Sequence, residues 1–224
     1  MDWQAIGLSL RLSACTTAIL FVCGLPLAWW LANTRWRWRF LAEAVVALPL
    51  VLPPTVLGFY VLMAIGPHSP AGRFYESIFG QRLPFSFQGL LIASVLYSLP
   101  FAVQPFMSAF ATVDRRMIEA SWCLGVGGFD TFRRVVLPLA WPGVLAGIVL
   151  SFAHTMGEFG VVLMVGGNVP GVTRTISVSI YDEVQALNYA AANQTAAAML
   201  FFSFFVLSLT YALQRRLIHA WPTR

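Results

Sequence analysis

The sequence predicts an all-α integral membrane protein of about five transmembrane helices, with short surface helices between them. Three observations carry this. Hydrophobic residues make up 58% of the chain and charged ones only 10%, against near 25% charge in soluble domains. Five stretches, 6–32, 40–66, 89–113, 142–165 and 190–213, are apolar over the ~20 residues a helix needs to cross a bilayer. One long polar interruption, 114–141, separates the third from the fourth. The 224 residues fit a single membrane domain, 1–224, with its core at 6–213.

Composition also excludes functions. All 14 basic residues are Arg and the chain has no Lys. A P-loop needs its Lys to hold nucleotide phosphates, so this chain is not an ATPase. The net charge of +5 reads as loop asymmetry that sets membrane orientation, with the lipid bilayer rather than nucleic acid as partner. Cys15, Cys23 and Cys123 show no metal-ligand spacing and read as small hydrophobes.

The first span resembles a signal peptide only in position. Its front carries Asp2, Arg11 interrupts it, and its far end is Trp29-Trp30 followed by Arg35, Arg37 and Arg39. It reads as a retained helix. The second span contains Leu48-Pro49-Leu50-Val51-Leu52-Pro53-Pro54-Thr55. Each proline removes a donor and displaces a carbonyl, so the helix should break mid-membrane. Irregular backbone there must be buried in protein or line a wet cavity. A helix restarting after Pro54 would present its electropositive N-terminus at membrane depth, suited to an anion. A packing kink is the plainer reading of Pro49, Pro53, Pro54 and Thr55.

Residues 67–87 form an outer loop too long for a mere connector, with room for a short helix over 74–79. The third span carries Pro100 and Pro105 with Tyr97, Ser98 and Gln104, and a kink is expected. In the polar interruption, Met117, Ala120, Ser121 and Leu124 recur at helical spacing and share one face. Gly125 suits a helix end that needs positive φ. Asp130 or Thr131 should cap a second short helix that Pro138 ends.

The fourth span starts at Trp141-Pro142, with proline in the first turn, and runs toward Gly157-Glu158-Phe159-Gly160. His154 and Glu158 are ionisable residues at membrane depth, and i, i+4 spacing puts them on one face. A structural polar pair and a pathway gate both fit. A metal site lacks a third ligand, and none is expected. Gly166 to Gly171 is a turn cluster. The piece 177–187 is too short and acidic to span, so an outer-surface or re-entrant helix is expected. The last span is rich in Ala and Ser, as close packing in lipid prefers.

Arginine placement orients the chain. With the Glu119 loop in the cytoplasm, that side receives Arg35, Arg37, Arg39, Arg115, Arg116, Arg133, Arg134, Arg215, Arg216 and Arg224. Arg11, Arg73, Arg82 and Arg174 stay outside. This satisfies the positive-inside rule with the N-terminus outside and the C-terminus in the cytoplasm.

Glu119-Ala120-Ser121, then Gly125, nine residues, and Val135-Val136-Leu137-Pro138 together resemble the EAA loop of ABC-importer permeases. Ser121 stands where that family usually has Ala. The resemblance implies a type I importer permease fold, a cytoplasmic coupling loop at 114–141 that docks on a separate ATPase, and coupling roles for Glu119, Ala120, Ser121, Gly125, Leu137 and Pro138. The stretches 48–54, 157–160 and 168–176 are similar to those of molybdate-type permeases, close to the tungstate and sulfate ones. That implies a homodimer, two ATPase subunits, an outer oxyanion-binding protein, and the bacterial inner membrane. It implies no cofactor in this chain, since ATP and Mg would sit on the ATPase. Members of that group differ in whether an extra N-terminal helix precedes the core, and none is expected here. Alternating access would move the cargo. A sulfate or tungstate permease is the alternative within the class. A secondary anion transporter is the rival outside it, although no repeated halves are seen.

Overall fold

The computed structural model describes residues 2–220, and of 213–220 the backbone alone. The side chains of Arg215 and Arg216, and all of Arg224, lie outside that description. Among the described residues the chain is helices and turns, without strands.

Helix α1, Trp3–Asn33, is capped by Asp2, whose carboxylate accepts from the backbone N–H groups of Gln4 and Ala5. A π turn, Leu20–Gly24, interrupts it just ahead of Pro26. The second apolar stretch divides into α2, Arg39–Val51, and α3, Pro54–Ile65. Helix α4, Pro70–Phe79, lies in the 67–87 loop and begins four residues earlier than expected, at its Ser69 cap. Helix α5, Phe87–Ala111, remains a single helix with Pro100 and Pro105 inside it.

The polar interruption holds α6, Arg115–Cys123. Helix α7, Gly128–Gly157, follows, and then α8, Gly160–Gly166. Helix α9 is Ile176–Gln185 and α10 is Tyr189–Ala220. Neither Asp130 nor Thr131 caps the start of α7; Gly127 holds that position without a side-chain bond. Pro138 and Pro142 do not end or start a helix either. A second π turn, Phe132–Val136, precedes Pro138, and the Leu137 N–H reaches back five residues to the Phe132 carbonyl. That wide turn re-phases the ladder just before a residue with no N–H, so the helix runs on. Both π turns lead into the same five residues, Leu-Pro-Leu-Ala-Trp, at 25–29 and 137–141.

Helix α5 is the axis of the molecule. Phe106 and Val103 pack with Leu20, Leu31, Val136 and Val144 in a core that lies toward its C-terminal half. Two glycines, Gly143 and Gly147, let α7 approach: a Cβ on Gly147 would stand 2.5 Å from the Phe106 ring, and one on Gly143 would stand 2.5 Å from the Ala109 Cβ. This is the small-residue spacing that brings membrane helices close. Helix α10 contributes little here. Only 11% of its apolar window is buried within the chain; Ala192 and Thr195 are its packed side, while Leu200, Phe201, Phe204 and Phe205 face outward.

The α2–α3 bend is 113°, sharper than a kink. The two pieces still pack toward opposite ends of α5. Val46 of α2 joins the core around Val103 and Phe110, while Val61 and Ile65 of α3 pack with Leu83 and Ala93 toward the other end of α5. Pro49 is accommodated inside α2; the break falls at Leu52-Pro53, and Pro54 opens α3.

Candidate coupling and translocation sites

Local chemistry explains the candidate coupling element. Asp114 caps α6 through its carboxylate, which accepts from the Arg116 N–H at 2.9 Å. Arg115 and Glu119 pair at 3.1 Å along its exposed side. Gly125 has φ +77 and turns the chain back, and the Val126 N–H donates to the Ser121 carbonyl at 3.1 Å.

The four residues that share a face by spacing do not share an environment. Ile118 and Ser121 are buried, whereas Met117, Glu119, Ala120 and Leu124 are exposed. Ser121 turns inward because its hydroxyl meets that of Thr131 at 2.9 Å, and both side chains are buried. The small residue at this position therefore does chemical work: it ties α6 to the first turn of α7. Leu137 and Pro138 are on α7 beyond the π turn. Leu137 packs into the core and Pro138 is exposed, so neither extends the α6 surface. Trp122, Leu124 and Phe129 expose 53%, 83% and 77% of their area, an apolar patch on a charged loop of the kind that marks a protein contact.

The second site is the junction of two broken spans. Gly160 opens α8 against Pro54, and a Cβ there would stand 2.7 Å from the Pro54 Cβ. Gly58 likewise seats Met164, so α3 and α8 pack along their length. Thr55, exposed at the head of α3, follows two prolines and brings the first free backbone N–H of that helix.

Glu158 sits at the other break. Helix α7 ends at Gly157, and Glu158 adopts an extended φ −67, ψ 134. The helical i, i+4 relation with His154 is thereby lost. The two residues instead face different serines of α5. His154 Nδ1 lies 3.0 Å from Ser98 Oγ, with its ring stacked on Phe101 at 3.7 Å, and Ser98 also meets Thr155 at 2.8 Å. Glu158, 4% exposed, lies beside Ser94, with neither closing a hydrogen bond of ordinary geometry. Such a carboxyl is costly in an apolar interior. Among the described residues, no three His, Cys, Asp or Glu side chains converge as a metal site would need.

The residues the sequence reading missed are Ser94, Phe101 and Thr155. Their signal was available in the i, i+4 spacing of Ser94 and Ser98 on an apolar helix.

Beyond the break, the turn cluster is fastened from within. Thr173 Oγ1 donates to the Gly166 carbonyl at 2.7 Å, Arg174 reaches Asn168 and Asp182, and the Ile176 N–H donates to Ser9 at 2.8 Å. Helix α9 is thus a packed surface helix, with Val178 buried against Leu12, Leu90 and Val162.

Two broken spans pack around a central helix, with an exposed amphipathic helix, α6, at one end. The chain belongs to the family of binding-protein-dependent transport system inner membrane components, whose model matches residues 24–219. It is 53% identical over 214 residues to the molybdenum transport system permease protein ModB of Azotobacter vinelandii, covering 96% of this chain and 95% of that one. The Escherichia coli K12 ModB is 33% identical, with 100% and 94% covered. A probable sulfate transport system permease protein of Chlorella vulgaris is 30% identical, with 94% and 79% covered. The fold matches the inward-facing MetNI methionine ABC transporter at a TM-score of 0.74 and 19% identity, covering 100% of this chain and 97% of that one. It is the fold of ABC-importer permeases.

Proposed function

We propose that this chain is the permease subunit of an ATP-driven importer of molybdate, working as a homodimer in the bacterial inner membrane. Two cytoplasmic ATPase subunits and an outer oxyanion-binding protein complete the assembly. The chain itself holds no nucleotide; ATP and Mg belong to the ATPase. Loop 114–141 faces the cytoplasm and the N-terminus lies outside.

One observation carries the reading. Ser121 bonds Thr131 at the foot of α7, and α7 then runs unbroken to Gly157. A push on Glu119, Ala120 and the apolar patch around Trp122 is therefore delivered to the break at Glu158, where α8 leans on Pro54. Packed helices transmit such motion because they deform little. Closure of the ATPase pair rocks the two halves of the dimer between inward-open and outward-open states. Pro53 and Pro54 hold the break open, Pro49 lies inside α2 ahead of it, and Thr55 offers its N–H and hydroxyl to the passing dianion without a buried cation. His154 and Glu158 shape the path's flank.

Molybdate is favoured over sulfate and tungstate by the names and identities of the relatives, 53% against 30% for the sulfate one. The test is reconstitution of the permease with its ATPase and binding protein in liposomes, followed by titration with molybdate, tungstate and sulfate. Molybdate should saturate uptake at the lowest concentration. Transport by the permease alone would sink the division of labour and point to a secondary transporter.

A further inference from the structure

Between α1 and α2 the chain reads Thr34-Arg35-Trp36-Arg37-Trp38-Arg39-Phe40. This turn is built, not loose. The Trp36 N–H donates to the Thr34 hydroxyl at 3.3 Å, and the Arg39 N–H returns to the Trp36 carbonyl at 3.0 Å. Trp30 and Trp36 pair with centroids 6.1 Å apart, Trp38 and Phe40 pair at 5.9 Å, and the Arg37 guanidinium lies 5.2 Å from the centre of the Trp38 ring.

The charges are unequal. Arg39 is paired with Glu43 at 2.6 Å, but Arg35 and Arg37 are exposed and have no carboxylate partner among the described residues. Next to them an open groove of about 440 Å³ lies between α1, α2 and α5. Its lining is mostly apolar, Phe40, Ala47 and Met107 among it, with Gln104, Ser108 and the Arg39-paired Glu43 as its polar members, and Phe40 also belongs to the aromatic cluster.

The geometry points to a phospholipid site: Arg35 and Arg37 hold the phosphate of an anionic headgroup while one acyl chain lies in the groove. Exposed tryptophans belong at the headgroup level. Guanidinium forks without carboxylates match phosphate oxygens, and an anionic leaflet complements a cluster of arginines beside a span. A protein partner would meet the same arginines, but it would leave the apolar groove alongside them unexplained. The leaflet, though not the site, rests on the proposed orientation.

The experiment uses the whole permease–ATPase complex, delipidated in detergent and then given phosphatidylglycerol or phosphatidylcholine, with bound lipid counted by native mass spectrometry. The wild-type complex should retain phosphatidylglycerol. Arg35→Gln/Arg37→Gln should lower that retention by about thirtyfold, Ala47→Trp should lower it with both arginines in place, and Arg73→Gln at the far end should leave it unchanged. Equal retention in the Arg double variant overturns the site, as does loss of the ATPase subunits with lipid retention intact, which would make the turn a protein interface. Displacement of the lipid by inorganic phosphate alone also overturns it. Labelling of Arg35→Cys from outside intact cells, with lipid loss unchanged in the double variant, would keep the site and refute the orientation.

Discussion

Pro54, the first residue of α3, lies directly on Gly160, the first residue of α8, so that no side chain larger than hydrogen fits between them. Each of the two breaks in the membrane-spanning helices is thus the seat of the other.

Gly160→Val should therefore separate α3 from α8. Overpacking of this kind costs about 1–3 kcal/mol, read as a lower thermal midpoint of the purified complex together with lost uptake. Gly157→Ala is the control, because its nearest neighbour, the Met199 Sδ-bound methyl, is 3.9 Å away. It should transport normally.

Ser121→Ala leaves the buried Thr131 hydroxyl without its partner, a loss of about 1–3 kcal/mol. Adding Thr131→Val removes the orphan and should restore part of the stability. A double-mutant cycle on thermal midpoints measures the coupling. ATP hydrolysis by the Ser121→Ala complex should respond less to loaded binding protein. An additive cycle would show that the bond does not hold α6 to α7.

Glu119→Arg breaks the pair with Arg115 and reverses the charge on the docking face, and Gly125→Val forces a β-branched residue into positive φ, at about 1–3 kcal/mol. Both should insert normally yet uncouple uptake from ATP hydrolysis. Unchanged uptake in both would remove the docking role.

Pro53→Leu/Pro54→Leu should let α2 run on into α3 and close the break. Uptake should fall at least tenfold while the ATPase subunits still co-purify. Normal uptake would make the prolines packing residues only.

Much of this was legible in the sequence because bilayer physics is strict. The apolar lengths located the spans, the Pro53-Pro54 pair marked the bend, and Gly125 marked the end of α6. The failures share a cause. Spacing grouped Met117, Ala120, Ser121 and Leu124 on one face, but a tertiary hydrogen bond to Thr131 turns Ser121 inward while the other three stay exposed. Likewise, i, i+4 spacing joined His154 to Glu158 only so long as the helix was continuous, and nothing local announces that α7 stops at Gly157. Pro138 looked like a terminator because a wide turn five residues long cannot be read from periodicity.

That wide turn, Phe132–Val136, also acts as a phase setting. Each residue of an α-helix advances the azimuth by about 100°, so removing one residue there would rotate everything downstream relative to Thr131. Gly143 and Gly147 would swing off Ala109 and Phe106 while α6 stayed put. A single-residue deletion at 132–136 should thus be far more damaging than any single substitution in the same stretch, since it shifts the angle between the two ends of the protein rather than the chemistry at either one.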